Sequence, residues 1–225
     1  MKTKKIITSY FFFFIICLSG CVPRVAPPPI YRGADLTLEE VIQKAGKDID
    51  ALKAIADISI EKNNEPYSYI SASALIKRPG QVRMRIYKFG LPVNDILIKD
   101  EKVYVLSGKS SNVAKDLGRE FYHAVLWWDG IKDGVMHKEE KEYILKTESK
   151  EIYLDKETLF PLRQEIITEG KSASILYSEP KSEEGFWYPS AIEIKIGDYI
   201  LKVQVTKLLL NPQLGEDDFR VPDNQ

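Results

Sequence analysis

Apolar and polar residues alternate with a period of two through most of the chain, and that pattern belongs to β-strands with one wet and one dry face. Val82-Arg83-Met84-Arg85-Ile86 and Val103-Tyr104-Val105 are short examples. The longest is Ile192-Glu193-Ile194-Lys195-Ile196, then Gly197-Asp198, then Leu201-Lys202-Val203-Gln204-Val205, two alternating runs about a turn pair, which reads as a hairpin. Turn signals at Asn63-Asn64, Pro79-Gly80, Gly90-Leu91-Pro92, Asp155-Lys156 and Glu169-Gly170 divide the rest at the spacing of an antiparallel meander. About nine to eleven strands are expected, and a sheet of that size curls.

Two segments break the alternation. Thr37-Leu38-Glu39-Glu40 has the form of a capping box, with Leu36 and Val41 placed as a hydrophobic staple. Leu38, Val41, Ile42, Ala45, Ile49 and Leu52 then recur at steps of three and four, which predicts an amphipathic helix of about four to five turns. In "REFYHAVLWWDG" (119–130), Phe121, Val125 and Trp128 fall at helical spacing before Gly130, which predicts a second, shorter helix. The following "DGIKDGVMHKEEKE" reads as a loop. The fold class expected is α+β: a single curved antiparallel sheet with two helices whose apolar faces, set at its concave side, cover a core or close off a cavity.

The N-terminus carries a different signal. Lys2, Lys4 and Lys5 precede an apolar run from Ile6 to Ile16, which has the length of a signal-peptide core and is too short for a permanent transmembrane helix. Leu18-Ser19-Gly20-Cys21 resembles the lipobox of bacterial lipoproteins. That resemblance implies cleavage before Cys21 and a diacylglycerol and N-acyl chain on it; several acyl chains make a lasting anchor where one does not. Cys17 leaves with the leader, so no disulfide or thiolate metal site is expected. An ordinary secreted protein with an incidental cysteine is the plainer alternative. Val22, rather than Asp, after the cysteine points by the same resemblance to the outer membrane, at its periplasmic face.

The expected organisation is a lipoprotein signal peptide (1–20), a lipidated cysteine with a proline-rich tether (21–36), and one domain (37–225). "VPRVAPPPIYRGAD" lacks apolar periodicity, and in extended form Val22 to Leu36 reaches up to ~45 Å. Loss of Lys2, Lys4 and Lys5 takes the net charge from −1 to −4, so nothing suggests nucleic acid binding. His123 and His137 are not at zinc-motif spacing, and no nucleophile-elbow or phosphate-cradling motif occurs. The acidic residues alternate along strands or cluster in loops such as "KEEKE" (138–142), a solvated pattern rather than an acid–base pair. Neither an enzyme nor a resident cofactor or metal is expected.

Several stretches, in order, resemble the LolA/LolB lipoprotein-carrier family, LolB especially: "ALIKRPGQVRMRI" (74–86), "YKFGLPVNDILI" (87–98), "EFYHAVLWWDG", "KEIYLDKETLFPLRQEI" and "LLLNPQLGEDDFRVP". The resemblance spans roughly residues 37–222. It implies an incomplete β-barrel with helices lidding its concave face, whose apolar hollow takes up the acyl chains of other lipoproteins, receives them from a LolA-like periplasmic carrier, and inserts them into the outer membrane without covalent chemistry, as a monomer. Carrying three acyl chains through water exposes dozens of methylenes at about 0.8 kcal/mol each, on the order of 30 kcal/mol.

The same resemblance suggests roles for particular residues. Arg78, in the Lys-Arg-Pro match, is the candidate that holds the lid shut; a solvated arginine before a turn is the alternative. Leu91, with Phe89 or Val93 as substitutes because the order here is Gly-Leu-Pro, is the candidate projecting residue that enters the bilayer; a leucine folded back onto the sheet is the alternative. Trp127, Trp128, Phe121 and Val125 are candidates for the hollow or its mouth; ordinary core filling is the alternative, and aromatic residues at helical spacing more often serve it. Two further functions fit the sequence: a chaperone for another lipid or glycolipid, and a non-transporting structural lipoprotein of an outer-membrane complex.

Overall fold

The computed structural model describes residues 27–31, 35–46, 48–100, 102–109, 112–131, 133–168 and 171–221. Cys21 and the segment read as a signal peptide lie outside them. In chain order the elements are α1 (Leu38–Gly46), β1 (Ala51–Lys62), β2 (Glu65–Lys77), β3 (Gln81–Lys88), β4 (Leu91–Lys99), β5 (Lys102–Ser107) and α2 (Asn112–Val125). They continue with β6 (Val135–Lys138), β7 (Glu142–Lys146), β8 (Lys150–Asp155), β9 (Pro161–Thr168), β10 (Lys171–Glu183), β11 (Phe186–Ile196), β12 (Tyr199–Leu210) and a short 3-10 helix (Glu216–Phe219).

All twelve strands join one antiparallel sheet in the order β5-β4-β3-β2-β1-β12-β11-β10-β9-β8-β7-β6. Each strand pairs with its neighbour in sequence except where β12 returns to β1, and β5 and β6 stay unpaired with each other, so the barrel is open. The twelfth strand comes from the stretch read as a loop: Val135–Lys138 pairs with β7 as a four-residue edge strand, too short to show alternation.

Period-two patterning sets the two faces. Ile58 and Ile60 of β1, Ile70 and Ile76 of β2, Val82, Met84 and Ile86 of β3, and Leu201, Val203 and Val205 of β12 are buried on the concave side. Near its middle that face is made of alanines, with Ala54 opposite Ala74 and Ala56 opposite Ala72. Small side chains there leave room that covering elements must fill, since interiors pack to near-crystalline density.

Helix α1 starts as expected. The Thr37 amide donates to Glu40 Oε2 (2.7 Å) and the Glu40 amide to Thr37 Oγ1 (3.3 Å), while Val41 is fully buried. It ends at Gly46, two turns earlier than the periodicity predicts, and Leu52 belongs to β1. Tertiary contacts decide this. Asn211 accepts from the amides of Asp50 and Ala51 and donates to the Asp48 carbonyl, so the chain is drawn into the sheet. Trp128 lies so close to Gly46 that a Cβ there would meet its indole ring at 2.1 Å.

Helix α2 covers residues 112–125, earlier than the predicted 119–130, and residues 126–130 form a turn after it. It packs against β3 and β4 on one side and β11 on the other, and so spans the concave face. Described residues of the stretch read as a tether lie against the sheet's loops. The Tyr31 amide donates to the Glu157 carbonyl (2.7 Å), and Asp35 pairs with Lys156 at 3.2 Å. With Tyr31 held, the length from Val22 to Ile30 reaches at most ~28 Å.

Candidate functional site: a latched lid over an apolar concave face

The turn that follows α2 carries the bulkiest side chains over the hollow. Phe121, Leu126, Trp127 and Trp128 are all buried in one cluster with the concave strands. Val125 is partly buried against the same cluster. The Trp127 and Trp128 rings meet edge to face at 5.5 Å, and Trp128 meets Phe186 of β11 in the same manner at 5.7 Å. The two tryptophans therefore sit on a turn rather than a helix, and both point inward. In this closed arrangement the hollow is filled by the lid's own aromatic residues.

Polar bonds fasten this lid at its end. Arg78, in the turn between β2 and β3, donates from Nε to Asp129 Oδ1 (3.2 Å), with Nη2 at 3.1 Å from the same oxygen. The Tyr122 hydroxyl donates to Asp129 Oδ2 and accepts from the Gly80 amide (3.0 Å). Burial, then the bond to Asp129, pushes the Tyr122 hydroxyl pKa well up, so it stays a donor. From the opposite side of the sheet, Lys150 at the start of β8 donates from Nζ to the carbonyls of Trp127 (3.1 Å) and Asp129 (2.8 Å). Lys150 is 8% exposed, and burial lowers its pKa to about 8, with Asp129 opposing the shift. Two strand systems thus grip one five-residue turn by charge-assisted hydrogen bonds, which are strong yet reversible.

The turn between β3 and β4 lies elsewhere and faces solvent. Phe89 and Gly90 both have positive φ (54° and 77°), as the turn favoured in two-residue hairpins requires. The β1–β2 hairpin meets the same requirement with Asn63 and Asn64, residues that tolerate it. Phe89 is 94% exposed, Leu91 68% and Val93 38%. Leu91 is exposed rather than folded back onto the sheet, and Phe89 is more exposed than Leu91.

Sequence reasoning singled out Arg78, Phe121, Val125, Trp127 and Trp128, and the fold gathers them at the lid. Leu91, Phe89 and Val93 form a separate tip. It missed Asp129, Tyr122, Lys150 and Gln164. For two of these a signal existed: Lys150 shares strand phase with Ile152 and Leu154, and Gln164 with Ile166, so each is a polar residue at an inward position. Among the described residues no cluster of His, Cys, Asp or Glu is arranged to hold a metal ion, and no helix is long and apolar enough to cross a membrane.

No family model and no curated protein sequence matches the chain. Solved structures do. A LolA superfamily protein from Nitrosomonas europaea is 13% identical and superposes with a TM-score of 0.60, covering 83% of this chain and 98% of that one. A DUF1329 family protein from Desulfovibrio piger gives 16% identity and a TM-score of 0.56 over 81% and 92%. A domain from Vibrio parahaemolyticus described as an outer membrane lipoprotein-sorting protein gives 12% and 0.53 over 81% and 94%. The chain therefore has the open-barrel fold of the LolA superfamily proteins.

Proposed function

We propose that this chain is a lipid-anchored acceptor of acyl chains at the periplasmic face of the outer membrane. On this reading Cys21 holds it in the bilayer and the concave face receives the chains of other lipoproteins from a soluble carrier. The Phe89–Leu91 tip then hands them to the membrane by non-covalent transfer. The observation that carries the reading is the lid: an apolar concave face is covered by a turn held through a few exchangeable polar bonds rather than through continuous strand pairing. A cover of that kind can leave and let Phe121, Trp127 and Trp128 be replaced by hydrocarbon of similar polarity. Phe89 adds support. It is neither buried nor well suited to its backbone conformation, so folding gains little from an aromatic residue there. The lipoprotein-sorting description of the V. parahaemolyticus domain points the same way.

The filled interior favours one second reading, a structural lipoprotein whose hollow is permanently occupied by its own side chains. The test uses the mature chain from Val22 onward, without acyl groups, a purified triacylated lipoprotein loaded on a periplasmic carrier, and the Leu91→Glu and Phe89→Glu variants. Stable transfer to the chain, with delivery to liposomes impaired in the variants, supports the acceptor. Absence of transfer together with absence of fluorescent fatty-acid uptake rejects lipid handling and leaves the structural reading.

A further inference from the structure

The concave face is not uniformly apolar. Gln164 on β9 is completely buried, with Ile152 of β8 and Ile175 of β10 opposite it in register. Its Oε1 accepts from the Tyr177 hydroxyl (2.9 Å), and its Nε2 has no hydrogen-bond partner among the described residues. Diagonally beside it on β8 is Lys150, which faces the same interior and spends its donors on the lid carbonyls of Trp127 and Asp129. On the lid, Trp128 is 3% exposed and its Nε1 likewise lacks a partner.

A buried N–H left unmade is destabilising, and such groups in folded proteins call for an explanation. Gln164 Nε2 is a donor, so the ligand that would complete it is an acceptor; the same holds separately for Trp128 Nε1, which lies against Gly46. Lys150 becomes a third donor in need of an acceptor once the lid lifts. A plain hydrocarbon supplies none, whereas the carbonyl of an ester- or amide-linked acyl chain supplies one at the head of an otherwise apolar tail.

We propose that Gln164, assisted by Lys150 when the lid opens, forms an interior hydrogen-bonding site for the carbonyl oxygen of an ester- or amide-linked acyl chain. The proposal rests on the lipid-handling reading above and sharpens it: the hollow selects acyl linkages, not chain length alone. It also couples cargo to the lid, because a cargo carbonyl competes with the Trp127 and Asp129 carbonyls for the same ammonium.

The test compares monolauroylglycerol with its glycerol dodecyl ether, which lacks only the carbonyl. Each displaces a neutral fluorescent probe, N-phenylnaphthylamine, from the mature chain. The ester is expected to bind about five- to tenfold more tightly, and Gln164→Leu to remove that preference while leaving ether binding unchanged. The double variant Gln164→Leu/Tyr177→Phe leaves no orphaned hydroxyl and guards against misfolding. Equal binding of ester and ether by the unaltered chain overturns the proposal, as does a preference that survives both variants. Binding of neither rejects the lipid reading itself. A dipalmitoylated cysteinyl lipopeptide and dipalmitoyl phosphatidylethanolamine, run as competitors, separate lipoprotein from membrane lipid as the source. The competitor that binds should weaken in Gln164→Leu, and insensitivity to the variant overturns the assignment.

Discussion

Replacing Asp129 with alanine should open the lid without unfolding the sheet. The carboxylate has two partners, the Arg78 guanidinium at 3.1–3.2 Å and the Tyr122 hydroxyl. The Arg78 and Asp129 side chains are 24% and 19% exposed, so their ion pair is only partly screened and contributes about 1 kcal/mol. A hydrogen bond from Tyr122 to a charged acceptor adds about 1.5 kcal/mol. Together the variant should weaken lid closure by roughly 2–3 kcal/mol, a ~30- to 140-fold shift toward opening. Amide hydrogen exchange reads this directly: protection should fall by that factor from Gly118 to Ile131 and stay unchanged in β1 and β12. Arg78→Met added to Asp129→Ala should change little more, because the pair is already broken. Unchanged protection in the α2 segment, or an equal loss in every strand, would refute the idea that these bonds hold a separable lid.

Three other outcomes follow from the same geometry. Gly46→Ala pushes a methyl group into the Trp128 ring, and overpacking of this kind should cost about 1–3 kcal/mol and lower Tm by roughly 3–10 °C, measured by thermal unfolding. His123 has its pKa lowered to about 4 by burial, with Lys150 and Arg119 adding and Asp129 opposing. The unfolded chain therefore takes up this proton first; the contribution is complete above about pH 6.5 and is lost as pH falls toward 4. His123→Leu should accordingly narrow the stability difference between pH 7.5 and 4.5 by about 2 kcal/mol in urea unfolding, and an unaltered difference would contradict the assignment. At the hairpin tip, Phe89→Glu should reduce vesicle binding ~10- to 100-fold, the loss expected for one inserted aromatic side chain, while Phe89→Asn should keep or raise Tm because asparagine suits positive φ.

How much of this was legible in the sequence depends on the range of the interaction. The capping box at Thr37 and Glu40 and the alternation of β11 and β12 were read directly, because each is settled by residues within a few positions of one another. Where α1 stops was not, since Gly46 meets Trp128 and Asp50 meets Asn211 across more than eighty residues. Arg78 was picked out through the Lys-Arg-Pro resemblance, but its partner Asp129 lies in a stretch whose helical spacing pointed to a helix running through it rather than a turn.

By itself, then, the amino-acid order determined that this chain forms a curved antiparallel sheet with dry inward positions and two covering segments, because periodicity and turn chemistry act locally. Only the tertiary structure decided that Arg78, Tyr122 and Lys150 converge on one turn and that Gln164 keeps a buried donor unpaired. Those facts depend on how strands far apart in sequence curve toward one another, and no local pattern encodes that distance.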